Sequence, residues 1–250
     1  MSDRARRSLR ALFAAIAMFA WCALAPAARA NTLSNIPEVV SVRGTLASAT
    51  GTLIDAKTDG TNAVVLVMVA DHTFHQYGAL STLIFGNGLK IPASIALDLS
   101  QSTYVSAGGA VGDLGVIAMT FPLSALSVSD QSLLWQLTPR VSTVASGTVP
   151  YPIWTAGYGI CDIAAGYGTQ TTYWNEVVAW VDGSSHATDS AGNALNYNEG
   201  LIEWVYDAPG SPGWIRNEGA SGAGADGSPV FDAAGNLQGM VIVAPAPAFG

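Results

Sequence analysis

The chain has 250 residues, 50% of them hydrophobic and only 11% charged, with 10 Lys+Arg against 18 Asp+Glu for a net charge of −8. So high an apolar share excludes a disordered chain, and the acidic balance disfavours nucleic acid and anionic membrane surfaces as partners, since both repel a negative protein. Two cysteines exclude a disulfide framework and a cysteine-rich zinc site.

Arg4, Arg6, Arg7 and Arg10 lead into an apolar run over residues 11–25, and Ala28-Arg29-Ala30 precedes Asn31. This is the layout of a secretory signal peptide cleaved near Ala30. The run is shorter than the roughly 20 residues a bilayer span requires. Arg6-Arg7 followed by Ser8-Leu9 hints at a twin-arginine route, and Cys22 after Trp21 is a poor lipidation site, so a secreted or periplasmic soluble protein is expected. Removing residues 1–30 leaves five basic and seventeen acidic residues, a net of −12. Cys161 is then the last cysteine, read as a small buried hydrophobe.

From residue 31 the pattern is all-β. Residues 31–46 read as a surface arm ending in Val39-Val40-Ser41-Val42-Arg43-Gly44. Residues 48–54 and 63–70 form a hairpin across the turn at 55–60, which carries an Asp-Gly signal. Further strands are expected at 82–85, 93–99, 103–105 and 114–119. A polar, proline-containing crossing at 138–152 precedes a second set at 153–157, 176–181, 201–206, 230–232 and 238–243. Residues 123–134 and 175–181 have a helical alternative without convincing caps. Turns every 8 to 12 residues or so argue for a barrel or sandwich. The polar loop from Asp182 to Asn193 has acidic residues but not the spacing of a helix-loop-helix calcium site, and reads as solvated.

Three places carry candidate chemistry. His72 stands at the exit of the strand ending Val69-Ala70-Asp71, with His75 as a competitor three residues on. Asp113 opens the apolar strand Leu114-Gly115-Val116-Ile117-Ala118, where a buried carboxylate needs a hydrogen-bonding partner or else costs a large desolvation penalty. It reads equally as a turn aspartate after Gly112. The loop Gly224-Ala225-Asp226-Gly227-Ser228-Pro229-Val230-Phe231 is rich enough in small residues to aim several backbone N–H groups at one point.

Taken in order, these segments resemble the chymotrypsin/trypsin family. Gly51-Thr52-Leu53-Ile54 with Val69-Ala70-Asp71-His72-Thr73 is similar to its histidine region, Gly112-Asp113-Leu114 to its aspartate strand, Thr155-Ala156-Gly157-Tyr158-Gly159 to a second-barrel segment, and the 224–231 loop to its Gly-Asp-Ser-Gly-Gly/Ser-Pro signature. The chain order His, Asp, loop is that of the same family. The resemblance implies two antiparallel six-stranded-type β-barrels in residues 31–250, the first at about 45–137 and the second at about 148–250, with no cofactor and no metal. It implies His72 as base, Asp113 as its orienting partner, the Gly224 and Asp226 N–H groups as oxyanion hole, and Ala220 as base of the specificity pocket. Without an acidic pocket base, small or apolar side chains are favoured over Arg or Lys.

The departure is Asp226, which stands where the family has its nucleophilic serine. A carboxylate cannot supply the hydroxyl, and beside His72 it favours the imidazolium over the base. The resemblance therefore implies an inactive peptidase homologue that binds peptide or protein segments between the barrels by strand addition. Two other readings stay open: an active serine endopeptidase through Ser221 or Ser228, and a secreted β-sandwich adhesion or carbohydrate-binding module using Trp154, Trp174, Trp180, Trp204 and Trp214. A hydrogen bond between His72 and Asp113 separates the last from the peptidase fold. Family members also continue beyond the equivalent of Val243, so either the second barrel closes differently or the sequence is a piece.

Overall fold

A computed structural model describes residues 36–105, 111–140, 151–159, 170–182, 200–204 and 225–241. Seven strands make the first sheet: β1 (Val39–Gly44), β2 (Ser48–Thr58), β3 (Asn62–Ala70), β4 (Leu80–Phe85), β5 (Lys90–Pro92), β6 (Asp98–Val105) and β7 (Val111–Pro122). Their order is β5-β4-β1-β2-β3-β7-β6, and every pairing is antiparallel. The second sheet holds β8 (Tyr151–Gly157), β9 (Thr171–Asp182), β10 (Gly200–Trp204), β11 (Pro229–Asp232) and β12 (Leu237–Met240), in the order β10-β9-β8-β11-β12.

The first core follows from period-2 alternation along paired strands. In β3, Ala63, Val65, Val67 and Val69 turn to one face and are fully buried. Across the ladder Ala63 pairs with Phe121, Val65 with Met119 and Val67 with Ile117, all equally buried, so each rung contributes two apolar side chains to the same face. The fourth rung sets Val69 against Gly115, and the missing side chain makes room: a Cβ on Gly115 would lie 2.6 Å from the Phe74 ring. The β2–β3 turn is fixed by Asp59, whose Oδ1 accepts from the Thr61 and Asn62 N–H groups at 2.8 and 2.7 Å, and by Gly60 at φ +91°.

Several elements differ from expectation. The stretch 39–44 is a central strand and no surface arm, because Val39, Val40 and Val42 are fully buried between β2 and β4. The hairpin strand runs on to Thr58, so the turn is confined to residues around Asp59-Gly60. Ala93–Ile95 forms a 3-10 turn, and the two short strands expected nearby merge into one, β6. Val128–Trp135 is a helix with a working cap: Ser127 Oγ accepts from the Asp130 N–H at 3.1 Å. Residues 175–181 belong to strand β9. The described strands divide seven and five, the extra one in the first sheet being the three-residue edge strand β5, held by Leu83↔Ile91 and its neighbours.

The two sheets are joined near β1. The Gln170 side chain accepts from the Ile36 N–H at 2.5 Å and donates to the Ile36 carbonyl at 3.2 Å. Ile36, Val39 and Ala156 bury against one another with Trp154 and Tyr158 alongside. Buried Glu38 accepts from the Thr138 N–H at 3.4 Å and faces Arg140 at 3.5 Å, and the Arg140 guanidinium lies 5.7 Å above the Phe231 ring of β11.

Candidate functional site

The site is assembled where β3 ends and the chain turns. Thr73 Oγ1 donates to the Ala70 carbonyl at 2.5 Å, and the Phe74 N–H to the Asp71 carbonyl at 2.9 Å, folding Thr73–Gln76 into one helical turn immediately after His72. The neighbouring strand β7 begins three residues before its first rung with β3, Leu114↔Ala70, and so sets Asp113 level with this turn. The Asp71 N–H donates to the Asp113 carbonyl at 3.2 Å. The Asp113 carboxylate is then used on both oxygens: Oδ1 accepts from the His72 backbone N–H at 2.8 Å, and Oδ2 lies 2.7 Å from His72 Nδ1. Its side chain is 5% exposed, so this pairing is what makes burial of the charge tolerable.

The second sheet supplies the other side of the imidazole. The loop before β11 carries Asp226, whose Oδ2 stands 3.5 Å from His72 Nε2. Main-chain bonds fix this loop: the Thr50 N–H donates to the Asp226 carbonyl at 3.2 Å, the Gly227 N–H to Val241 at 2.7 Å and the Ser228 N–H to Ala225 at 2.9 Å. Gly227 has φ +85°, and a Cβ there would come within 2.0 Å of the Thr50 carbonyl oxygen, so no other residue fits. Thr50 reaches the second sheet again through its Oγ1, which accepts from the Tyr158 N–H at 3.0 Å.

His72 therefore lies between two carboxylates. Burial by itself would lower the imidazole pKa, but the hydrogen bonds to Asp113 and Asp226, with the negative charge of both, outweigh it and push the value up to about 10. At neutral pH the ring is a cation with Nδ1–H directed at Asp113 and Nε2–H facing Asp226. A general base must present an unprotonated nitrogen to the proton it takes, and this ring has none.

Of the residues singled out in the sequence, His72, Asp113 and Asp226 come together. His75 lies within the helical turn, and it is His72 that carries the contacts to both carboxylates. Ser228 does not join them: it is fully buried, and its hydroxyl has no hydrogen-bond partner among the described residues and packs against Gly157, where a Cβ would come within 2.1 Å of Oγ. Ala220, Ser221, Gly224, Cys161, Trp214 and the 183–193 part of the acidic loop lie outside the described residues. Trp154 is committed to packing, stacked on Phe231 at 4.2 Å with its Nε1–H donating to the Asp232 carbonyl at 2.8 Å. Among the described residues no group of three or more His, Cys, Asp or Glu is arranged to hold a metal, and no helix is long and apolar enough to cross a membrane.

Thr50 and Thr52 were missed in the sequence. Both are fully buried, and Thr52 Oγ1 donates to the Gly227 carbonyl at 3.4 Å. The available signal was two polar residues at i and i+2, which share one face of β2 opposite the buried apolar Ala49 and Leu53.

No known protein family matches the sequence. No curated protein matches it either. Among solved structures the chain is similar to the inactivated protease paralogue S-I1 of the scabies mite, with TM-score 0.52, 14% identity and coverage of 87% of each chain. It also matches the inactive form of a serine-to-alanine mutant of Rv3671c from M. tuberculosis H37Rv (TM-score 0.49, 16% identity, 84% of this chain and 76% of that one). A third match is human heparin binding protein (TM-score 0.46, 15% identity, 83% of this chain and 79% of that one). At such identities the likeness is one of fold. With the two antiparallel sheets and the His72–Asp113 hydrogen bond, it excludes the β-sandwich alternative: the chain has the all-β, two-barrel chymotrypsin-like fold.

Proposed function

We propose that this protein is an exported trypsin-like serine peptidase homologue that does not cleave peptides and instead holds extended peptide or protein segments between its two barrels. The observation that carries the reading is the 3.5 Å approach of Asp226 Oδ2 to His72 Nε2. In this reading Asp226 offers a carboxylate in place of the hydroxyl that peptidase chemistry requires, and its charge favours the protonated histidine. Loss of the nucleophile alone costs a serine peptidase a factor of about 10⁶ in turnover. The scabies mite protein of similar fold is described as an inactivated protease paralogue, a precedent for the fold without the activity.

Asp226→Ser tests this. The variant is expected to hydrolyse an activated ester and to react with a serine-directed fluorophosphonate, while the parent does neither. Covalent labelling of the parent that disappears on His72→Ala would overturn the reading, because it would show an active serine elsewhere in the chain, with Ser221 as the candidate. Silence from both parent and Asp226→Ser would show that the remaining machinery is not that of a peptidase.

A further inference from the structure

The trio does more than abolish a peptidase. We propose that Asp226 is itself a nucleophile, one suited to saturated carbon: it displaces the leaving group of a small primary alkyl electrophile, such as an alkyl halide, and His72 then directs hydrolysis of the resulting ester.

Three observations carry this. Asp226 is partly open to solvent, its side chain 21% exposed, and so is His72 at 24%. The His72 ring stands between the two carboxylates, with Asp226 Oδ2 3.5 Å from Nε2, and a carboxylate oxygen is the attacking atom. The backbone around Asp226 is held by the Thr50, Gly227 and Ser228 bonds without using the carboxylate, whose only partner among the described residues is His72.

Carboxylate chemistry selects the substrate class. Attack on an acyl carbon would produce a mixed anhydride, which is higher in energy than the ester or amide it came from. Attack on a saturated carbon produces an alkyl ester, a stable intermediate. In the first step an Asp226 oxygen forms a bond to carbon, the carbon–halogen bond breaks, and halide leaves with the electron pair, so no acid is required. Ester formation also removes the negative charge of Asp226, and with it one of the two groups that hold the Nε2 proton. That proton passes to solvent, and neutral His72, still oriented by Asp113, can accept a proton from water as it attacks the ester carbonyl. As the tetrahedral intermediate collapses, the alkoxide takes the proton from His72 and leaves as the alcohol, and the carboxylic acid left on Asp226 gives its proton to His72, restoring carboxylate and imidazolium. The net reaction is alkyl halide plus water to alcohol plus hydrogen halide.

The test uses the purified protein, 1-bromobutane and mass spectrometry. The parent is expected to release bromide and butanol at least about tenfold faster than Asp226→Asn, a small fraction of the ~10⁶ that nucleophile loss costs an evolved enzyme. In heavy-oxygen water a single turnover should place the label in the Asp226 carboxylate. His72→Gln, in which the amide can still donate to Asp113, should release one equivalent of bromide and retain a butyl ester on Asp226. Absence of the Asp226 ester in His72→Gln, with circular dichroism showing a folded chain, would overturn the proposal, as would alkylation spread evenly over exposed carboxylates. Neither result bears on whether Asp226→Ser recovers ester hydrolysis, so the two readings fail separately.

Discussion

His72 is a cation held by anions from two different sheets, and its titration is coupled to folding. The folded-state pKa, raised to about 10, lies above the ordinary imidazole value of 6.5. The folded protein therefore binds a proton that the unfolded chain gives up first. This contribution to stability is complete below pH ~6.5 and is lost as the pH rises through about 10. Thermal melts of the parent should show a fall in Tm between pH 7 and 10 that Asp226→Asn largely lacks, and NMR titration should place the His72 midpoint lower in that variant. Unchanged titration in Asp226→Asn would mean that Asp226 does not act on the ring. Asp113→Ala removes the acceptor of both the backbone N–H and Nδ1–H of His72, and unsatisfied buried donors cost about 1–3 kcal/mol each, measurable by urea unfolding.

At the scale of elements, the loop before β11 depends on Gly227 more than on any side chain around it. Gly227→Ala forces a Cβ against the Thr50 carbonyl at positive φ, and should destabilise by at least about 1–3 kcal/mol while displacing Asp226 from His72. The helix Val128–Trp135 has a simpler dependence: Ser127→Ala should cost about 1 kcal/mol through loss of the N-cap. Urea midpoints check both. The two cases also mark how much of the molecule is legible in the sequence. Short apolar runs bounded by turn residues placed β3, β7 and β11, and the His, Asp, loop order named the three residues that come together, because local patterning and a short motif suffice for these. The helix was obscured because its amphipathic pattern is weak and Ser127 looks like any loop serine until its Oγ is seen on Asp130. Strand β1 was misread as surface because Ser41 and Arg43 interrupt its valines, whereas its burial comes from β4, more than 30 residues away in sequence. Thr50 and Thr52 matter through contacts with residues beyond 150, which no local pattern reports.

Among the ties between the two sheets is a buried acid. Glu38, only 4% exposed, belongs to the start of the first sheet, and its partner Arg140 covers Phe231 in the second. Arg140→Ala would leave the Thr138 N–H as the partner of buried Glu38 and uncover the ring, so a loss of about 1–3 kcal/mol is expected, with Glu38→Gln in the same background restoring part of it. Failure of the double variant to recover any stability in urea would show that Arg140 acts through Phe231 alone.

The main-chain fastening of residue 226 has a last consequence. Thr50, Gly227, Val241 and Ala225 hold that backbone through amide and carbonyl groups, none of which changes when the side chain does. Position 226 is thus an interchangeable socket: serine, cysteine, asparagine or threonine can be set beside the same imidazole on the same frame. A saturation panel at this one codon would read as a survey of reactivity, with folding held nearly constant, and would measure how far the chemistry beside His72 depends on a single side chain.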